Sequence, residues 1–269
     1  MLDDLAPARR RLVLTATALV LAGLVVLAVV LVAPHLDRDR AGTDPVAQDA
    51  QPPVLLIPGY GGGTTGLDVM AAALRREGRT VTVVPLEGDG TGDLNRQADV
   101  VEDAVRQVLS TSARSVDLVG YSAGGVIVRL WARQYDGGSV ARRIVTLGSP
   151  QHGTDLAALA GDLAPDKCPT ACEQLATDSS LIQQLNSGDE TPPGPAWVSI
   201  WTDDDRVSTP PRTASLTGAL DFSVQRVCPG LQLSHTQLPA SPVVIAMVSA
   251  ELGRTMPALP GRDVCHATR

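Results

Sequence analysis

Apolar residues fall into three patterns along this chain, and each predicts a different element. Residues 12–33 form one uninterrupted apolar run without a charge, in which Thr15 and Thr17 are the only polar side chains. Residues 53–57 form a continuous apolar run, and short β-rich, largely apolar runs recur at 80–84, 116–119, 144–147 and 197–201; runs of that length suit strands buried on both faces of a parallel sheet. Between them, residues 67–76, 94–109, 126–135 and 241–252 space their apolar positions as helices do. The stripe is clearest in 94–109, where Val100, Val101, Ala104, Val105 and Val108 lie opposite the charges. Strands alternating with helices imply an α/β fold: a mostly parallel sheet of about six strands, right-handed crossovers, and helices on both faces. Residues 222–227 carry the weakest pattern and are read as the last strand. Residues 154–195 hold Pro, Gly and two Cys without a strand pattern, which predicts a cap over the strand ends or a surface insertion.

The long run changes the picture most. As a helix at about 1.5 Å per residue it reaches roughly 33 Å, enough to span the hydrocarbon core of a bilayer. Arg9, Arg10 and Arg11 precede it, whereas Asp37 and Asp39 alternate with Arg38 and Arg40 after it. That bias leaves the N-terminus in the cytoplasm and exports the rest. A cleaved signal peptide is the competing reading, but its apolar region spans about 7–15 residues and ends at a small-x-small site. This run is longer and ends at Ala33-Pro34. The expected plan is a cytoplasmic N-terminus at 1–11, a single membrane-spanning signal-anchor at 12–33, a stalk at 34–52, and an extracytoplasmic domain at 53–269 with its cap at 154–195.

Composition narrows the function. The formal net charge is −7, Lys167 is the only lysine and aromatic residues make up 3%, so both the basic face and the stacking platform of a nucleic-acid binder are missing. Four cysteines, Cys168, Cys172, Cys228 and Cys265, all follow the anchor; an even number in an exported domain argues for disulfides. Of the three pairings, Cys168–Cys172 with Cys228–Cys265 is preferred, because the first closes a small loop and the second clips the C-terminal tail. A zinc site on the first pair is the weaker alternative, since no histidine clusters with it. No cofactor or metal is expected.

The candidate chemistry begins at Gly120-Tyr121-Ser122-Ala123-Gly124, between a predicted strand and a predicted helix. A G-x-S-x-G in that context is a nucleophile elbow, where a strained turn presents the serine and the glycines avoid collision with strand and helix. A serine nucleophile needs a base to take its proton and a carboxylate to orient that base, in the chain order Ser, acid, His. Of the four histidines, His235 stands on a loop before the last helix, where the base belongs; His35 falls in the stalk, His152 before the cap and His266 at the end of the chain. The acid belongs just after the strand at 197–201, where Asp203, Asp204 and Asp205 follow one another. Spacing favours Asp205, with the other two left open. The oxyanion calls for two N–H donors: that of Ala123, after the nucleophile, and that of Tyr60 in the Gly-rich loop after the first strand. A phosphate-binding reading of that loop is weaker, because no Lys-Ser or Lys-Thr pair follows it.

With these motifs in place the chain resembles the secreted bacterial lipases and esterases of the α/β-hydrolase superfamily, most nearly small actinobacterial lipase-like proteins that begin at the first parallel strand. The resemblance rests on Ile57 to Gly62, Gly120 to Gly125, Leu147 to Thr154, Asp205 to Pro210 and Ser234 to Pro239. It implies hydrolysis of carboxylic esters, most naturally of acyl lipids, by Ser122, His235 and Asp205. Two features depart from it. Pro58 occupies the place where relatives often carry His, and the expected anchor contrasts with relatives that are released. An acyltransferase on the same triad and a non-catalytic binding module are the alternatives, and the oligomeric state is unreadable.

Overall fold

The computed structural model describes residues 46–267. The predicted anchor, His35 and most of the stalk lie outside them, and among the described residues no helix is long and apolar enough to cross a membrane. Six strands, β1 (Val54–Ile57), β2 (Val81–Val83), β3 (Val116–Tyr121), β4 (Ala141–Leu147), β5 (Ala196–Trp201) and β6 (Leu220–Ser223), form one sheet in the order β2-β1-β3-β4-β5-β6. Every neighbouring pair is parallel. All strand C-termini therefore point to one edge, where loops from separate parts of the chain meet.

Alternation along the strands sorts the core into two layers. Leu55 and Ile57 of β1 face the helices α2 (Leu94–Leu109) and α3 (Ala123–Gln134), packing with Val101, Val105 and Ile127. Val54 and Leu56 face the other way, onto Leu67, Met70 and Leu74 of α1 (Thr65–Arg76) and Val244 and Val248 of the closing helix α8 (Pro242–Glu251). A strand presents successive side chains to opposite faces, so a continuous apolar run is what a sheet covered on both sides requires.

Two expectations about elements are adjusted. The helix after the elbow begins at Ala123, three residues earlier than its apolar spacing indicates, because small residues rather than large ones fill its first turn against the sheet. The predicted last strand ends at Ser223, whose hydroxyl accepts from the Arg226 N–H and starts a one-turn helix, α7 (Val224–Val227). Val224 and Val227, three apart, then bury one face. The cap region folds as α4 (Asp155–Leu163), α5 (Thr170–Gln174) and α6 (Ser180–Leu185), and contains no strand. Cys168–Cys172 and Cys228–Cys265 are disulfide-bonded.

The opposite edge of the sheet is held by buried charge. Asp117 of β3 accepts from Arg79 and from Arg142, both at 2.6 Å. The same two guanidiniums donate to the Leu252 carbonyl at the end of α8 and, one each, to the carbonyls of Pro52 and Gln48. Residues 48–52, placed in the stalk by their lack of apolar period, are thus held to the body through backbone carbonyls, a contact side-chain patterning does not encode.

Glu251 lies beside this cluster and is almost fully buried, with no ordinary hydrogen-bond partner for either carboxylate oxygen among the described residues. Burial pushes its pKa up from 4.5 to about 7, against the weaker pull of the Ala258 N–H and the Arg143 charge. Between those two values the folded protein keeps a proton that the unfolded chain has released. Stability therefore falls as pH rises through that window, and the loss is complete above about 7. A tenfold difference in proton affinity between the folded and unfolded chain is worth about 1.4 kcal/mol before solvent screening is allowed for, so a net effect of about 1–2 kcal/mol is expected. Glu251→Gln should then raise stability by about that amount at pH 8 and leave it unchanged at pH 4. Urea unfolding at the two pH values checks this; an equal change at both would mean that shape, not the proton, sets the effect.

Candidate active site

Ser122 sits between β3 and α3 with φ 54° and ψ −127°, a backbone conformation that L-residues seldom adopt. Its N–H donates to the Leu147 carbonyl at 2.8 Å, which ties the turn to β4. Close packing explains the flanking glycines. A Cβ on Gly120 would fall 2.5 Å from the Gly125 Cα, and one on Gly124 would fall 2.3 Å from the Ile57 carbonyl oxygen. Both are far inside contact distance, so the strand, the turn and the first turn of α3 can approach only without side chains there.

Two loops from later strands converge on this serine. His235 opens a short 3-10 turn, His235–Ala240, fixed by reciprocal bonds between Ser234 and Gln237. Its Nε2 lies 3.0 Å from Ser122 Oγ, and its Nδ1 lies 2.7 Å from Asp205 Oδ2. Asp205 is buried on the turn after β5, and its Oδ1 accepts from the N–H groups of Val207 and Ser208, each at 2.8 Å. One oxygen is thereby held by backbone while the other is left to the imidazole. The neighbouring acids have other partners. Asp203 accepts from the Ser223 hydroxyl, and Asp204 accepts from the Leu233 N–H and from the Gln225 amide. Both brace the loop that carries His235 or the end of β6, and neither meets the imidazole.

The proposed oxyanion donors lie next to the same serine. Ala123 is the first residue of α3, so its N–H is one of the four that a helix cannot satisfy internally. Tyr60 stands half-exposed in the loop after β1. That loop lies against the nucleophile, since a Cβ on Gly59 would fall 2.8 Å from the Ser122 Cβ. Tyr60 and Ser122 share the wall of a cavity of about 290 Å³, completed by Pro150, Leu156, Ala160, Leu175 and Val207. Apolar side chains from the cap dominate this lining, which suits a hydrocarbon chain. A larger cavity of about 540 Å³ opens between α2, α3 and the cap, is lined by residues such as Arg133, Glu173 and Gln184, and includes none of Ser122, Asp205 and His235.

Two contributors lie inside motifs that the sequence displays without a role being assigned to them there. Tyr121, the variable residue before the nucleophile, packs its ring on His235 with centroids 5.2 Å apart and donates its hydroxyl to the His235 carbonyl at 3.3 Å. Burial first, and the Asp205 charge second, push its pKa up to about 12, so it remains a neutral phenol. Gly148, after β4, has φ 54° and lies against the pair from the other side: a Cβ there would be 3.2 Å from both Asp205 Oδ2 and His235 Nδ1. His152 is elsewhere, with Nε2 2.9 Å from Glu190 in a bond that joins the start of the cap to its end. His266 closes the last short turn of the described chain. Among the described residues no cluster of His, Cys, Asp and Glu could hold a metal ion.

The model of one protein family, described as palmitoyl protein thioesterase, matches residues 53–189, just over half of the 269-residue chain. No curated protein sequence matches. Among solved structures, the mature form of a Bacillus licheniformis lipase superposes with a TM-score of 0.62 at 17% identity, covering 76% of this chain and 93% of that one. Lipase B of Aspergillus fumigatus gives 0.66 at 18% identity over 77% of this chain, which spans only about half (53%) of the fungal protein. An α/β-hydrolase enzyme from the metagenome of sediments of the Mar Chica lagoon, Morocco, gives 0.53 at 16% identity over 75% and 90% of the two chains. At these identities the likeness is one of fold.

Proposed function

The chain belongs to the palmitoyl protein thioesterase family, and from that membership we propose a serine hydrolase that cleaves acyl esters and thioesters outside the cytoplasmic membrane, anchored there by residues 12–33. As a carboxylic ester hydrolase it must make a nucleophile, move one proton twice and hold a transient oxyanion. The observation that carries the reading is the unbroken line Asp205–His235–Ser122, with steps of 2.7 and 3.0 Å, ending on the wall of an apolar cavity.

In the first half-reaction Ser122 Oγ bonds to the acyl carbonyl carbon while His235 Nε2 takes the hydroxyl proton. The carbonyl electron pair moves onto oxygen, facing the N–H groups of Tyr60 and Ala123. Collapse of this intermediate breaks the bond to the alcohol or thiol, which leaves with the proton from the imidazolium. Water then repeats the sequence: it gives its proton to His235, attacks the acyl-serine and releases the fatty acid and free Ser122. Asp205 accepts a hydrogen bond from Nδ1–H throughout and stays ionised, so the lone pair on Nε2 points at the serine and the imidazolium has a counter-charge. The cap supplies the surface against which the acyl chain lies.

A fluorophosphonate probe tests the assignment directly. The full chain should be labelled stoichiometrically, and peptide mapping should place the adduct on Ser122. An adduct on any other serine, or no adduct in folded protein, overturns it.

A further inference from the structure

Gln225, on the one-turn helix α7, bridges the two loops that carry the acid and the base of the triad. Its Oε1 accepts from the Asp203 N–H at 3.0 Å. Its Nε2 donates to Thr202 Oγ1 at 2.9 Å and to the Leu231 carbonyl at 3.0 Å, with the Asp204 carboxylate beside them at 3.2 Å. Thr202, Asp203 and Asp204 form the turn that ends in Asp205, whereas Leu231 lies in the segment that leads to His235. The backbone partners fix the orientation of the amide, because an N–H can only donate and a carbonyl can only accept. An acceptor and a donor are both needed, on one side chain of this length. The bridge continues from the turn to the base loop: the Thr202 hydroxyl donates to the Leu233 carbonyl at 2.6 Å, and Asp204 accepts from the Leu233 N–H at 3.1 Å.

We propose that Gln225 is a positioning residue for the triad: it clamps the acid turn to the base loop and so sets the approach of Asp205 to His235 Nδ1. Asp205 and His235 stand 30 residues apart, and the 2.7 Å step between them depends on how their loops are held together. Val207 and Ser208 orient the carboxylate within its own turn, and Tyr121 holds the His235 backbone from β3. The bonds of Gln225 run from one loop to the other. The residue also stands on a rigid base, since Val224 and Val227 on either side of it are buried and Cys228 is disulfide-bonded to Cys265. Its hydrogen bonds include none to Ser122, Asp205 or His235, and it is not on the wall of the Ser122 cavity. Its loss should therefore be felt in the chemical step and not in substrate binding. Three of its four contacts use no aspartate carboxylate, so substitutions at Asp203 and Asp204 leave most of the clamp in place. The inference rests on the triad reading above and adds to it what keeps acid and base in register.

The test uses the full chain and one aryl ester. Gln225→Met keeps the length of the side chain and removes its hydrogen bonds. Gln225→Glu keeps an acceptor for the Asp203 N–H and turns a carboxylate oxygen toward the Leu231 carbonyl and Asp204. Each should lower kcat about 10–100-fold with KM within about twofold of the parent, the scale expected when a catalytic group is misplaced by about 1 Å. The downfield proton resonance of the Asp205–His235 hydrogen bond should move or weaken in both variants. In an Asp205→Ala background no carboxylate is left to aim, so Gln225→Met should there change the residual rate by less than about twofold. Losses of equal size in the two backgrounds, a raised KM at unchanged kcat, an unmoved resonance, or full activity in folded variants overturns the positioning role. Failure of both variants to fold makes Gln225 a structural residue and overturns it as well. Each of these results leaves the hydrolase reading intact as long as the parent is labelled on Ser122. An inactive, unlabelled parent removes both.

Discussion

Ser122→Ala lowers the turnover of aryl esters by on the order of 10⁶-fold, the scale on which loss of a nucleophile is felt when base and acid can no longer act on anything. The same variant loses fluorophosphonate labelling and keeps its unfolding midpoint. The last point follows from local geometry. Ser122 occupies a positive-φ corner, and alanine accepts that strain no worse than serine. The hydroxyl's only hydrogen-bond contact among the described residues is His235 Nε2. Nothing in the sheet depends on it. Turnover surviving within about tenfold of the parent would remove Ser122 from the mechanism, whatever its geometry.

Asp205→Asn is the second large effect, a loss in kcat of on the order of 10⁴ with KM little changed. An amide at this position can offer its NH₂ group to Nδ1, which moves the imidazole proton to Nε2 and leaves no lone pair for the Ser122 proton. The backbone donors of Val207 and Ser208 keep the turn in place, so the substitution changes the tautomer rather than the loop. Asp203→Asn and Asp204→Asn serve as internal controls. Their carboxylates contact Ser223, and Leu233 with Gln225, so each should keep activity within about tenfold of the parent and lose mainly loop stability. A large loss at Asp203 or Asp204 together with a small one at Asp205 would reassign the acid. Steady-state rates on one aryl ester at saturating and limiting concentration separate kcat from KM for all three.

Much of the fold was legible because it repeats a short local rule. A parallel sheet buried on both faces turns its strands into short, largely apolar runs, and the helices between them must show a stripe; β1, β3, β4, β5 and α2 announce themselves in this way, although Asp117, Arg142 and Arg143 interrupt β3 and β4. The elbow was legible for a related reason. Gly120 answers to a contact within five residues, against Gly124 and Gly125 at the start of α3, so part of the constraint is written where it acts, while Gly124 answers to the Ile57 carbonyl of β1. The weaker predictions fail where a side chain overrides the pattern, as when the hydroxyl of Ser223 ends β6 and starts α7.

Other features answer to distance in space. Three adjacent aspartates have the same chemistry, and spacing favours Asp205 without excluding the other two; the path of the turn after β5 decides it, by pointing Asp205 inward and the other two at β6 and the His235 loop. Tyr121 and Gly148 enter the site because parallel strands bring their ends to one edge, and residues 48–52 join the body because Arg79 and Arg142 reach backbone carbonyls there. The sequence by itself determined the class of sheet, the nucleophile corner and the order of serine, acid and base, since each is a matter of period or of contacts close along the chain. Only the tertiary structure decided which acid is paired, what braces the histidine and which side chains of the cap line the cavity, since each depends on how distant loops meet at the edge of the sheet.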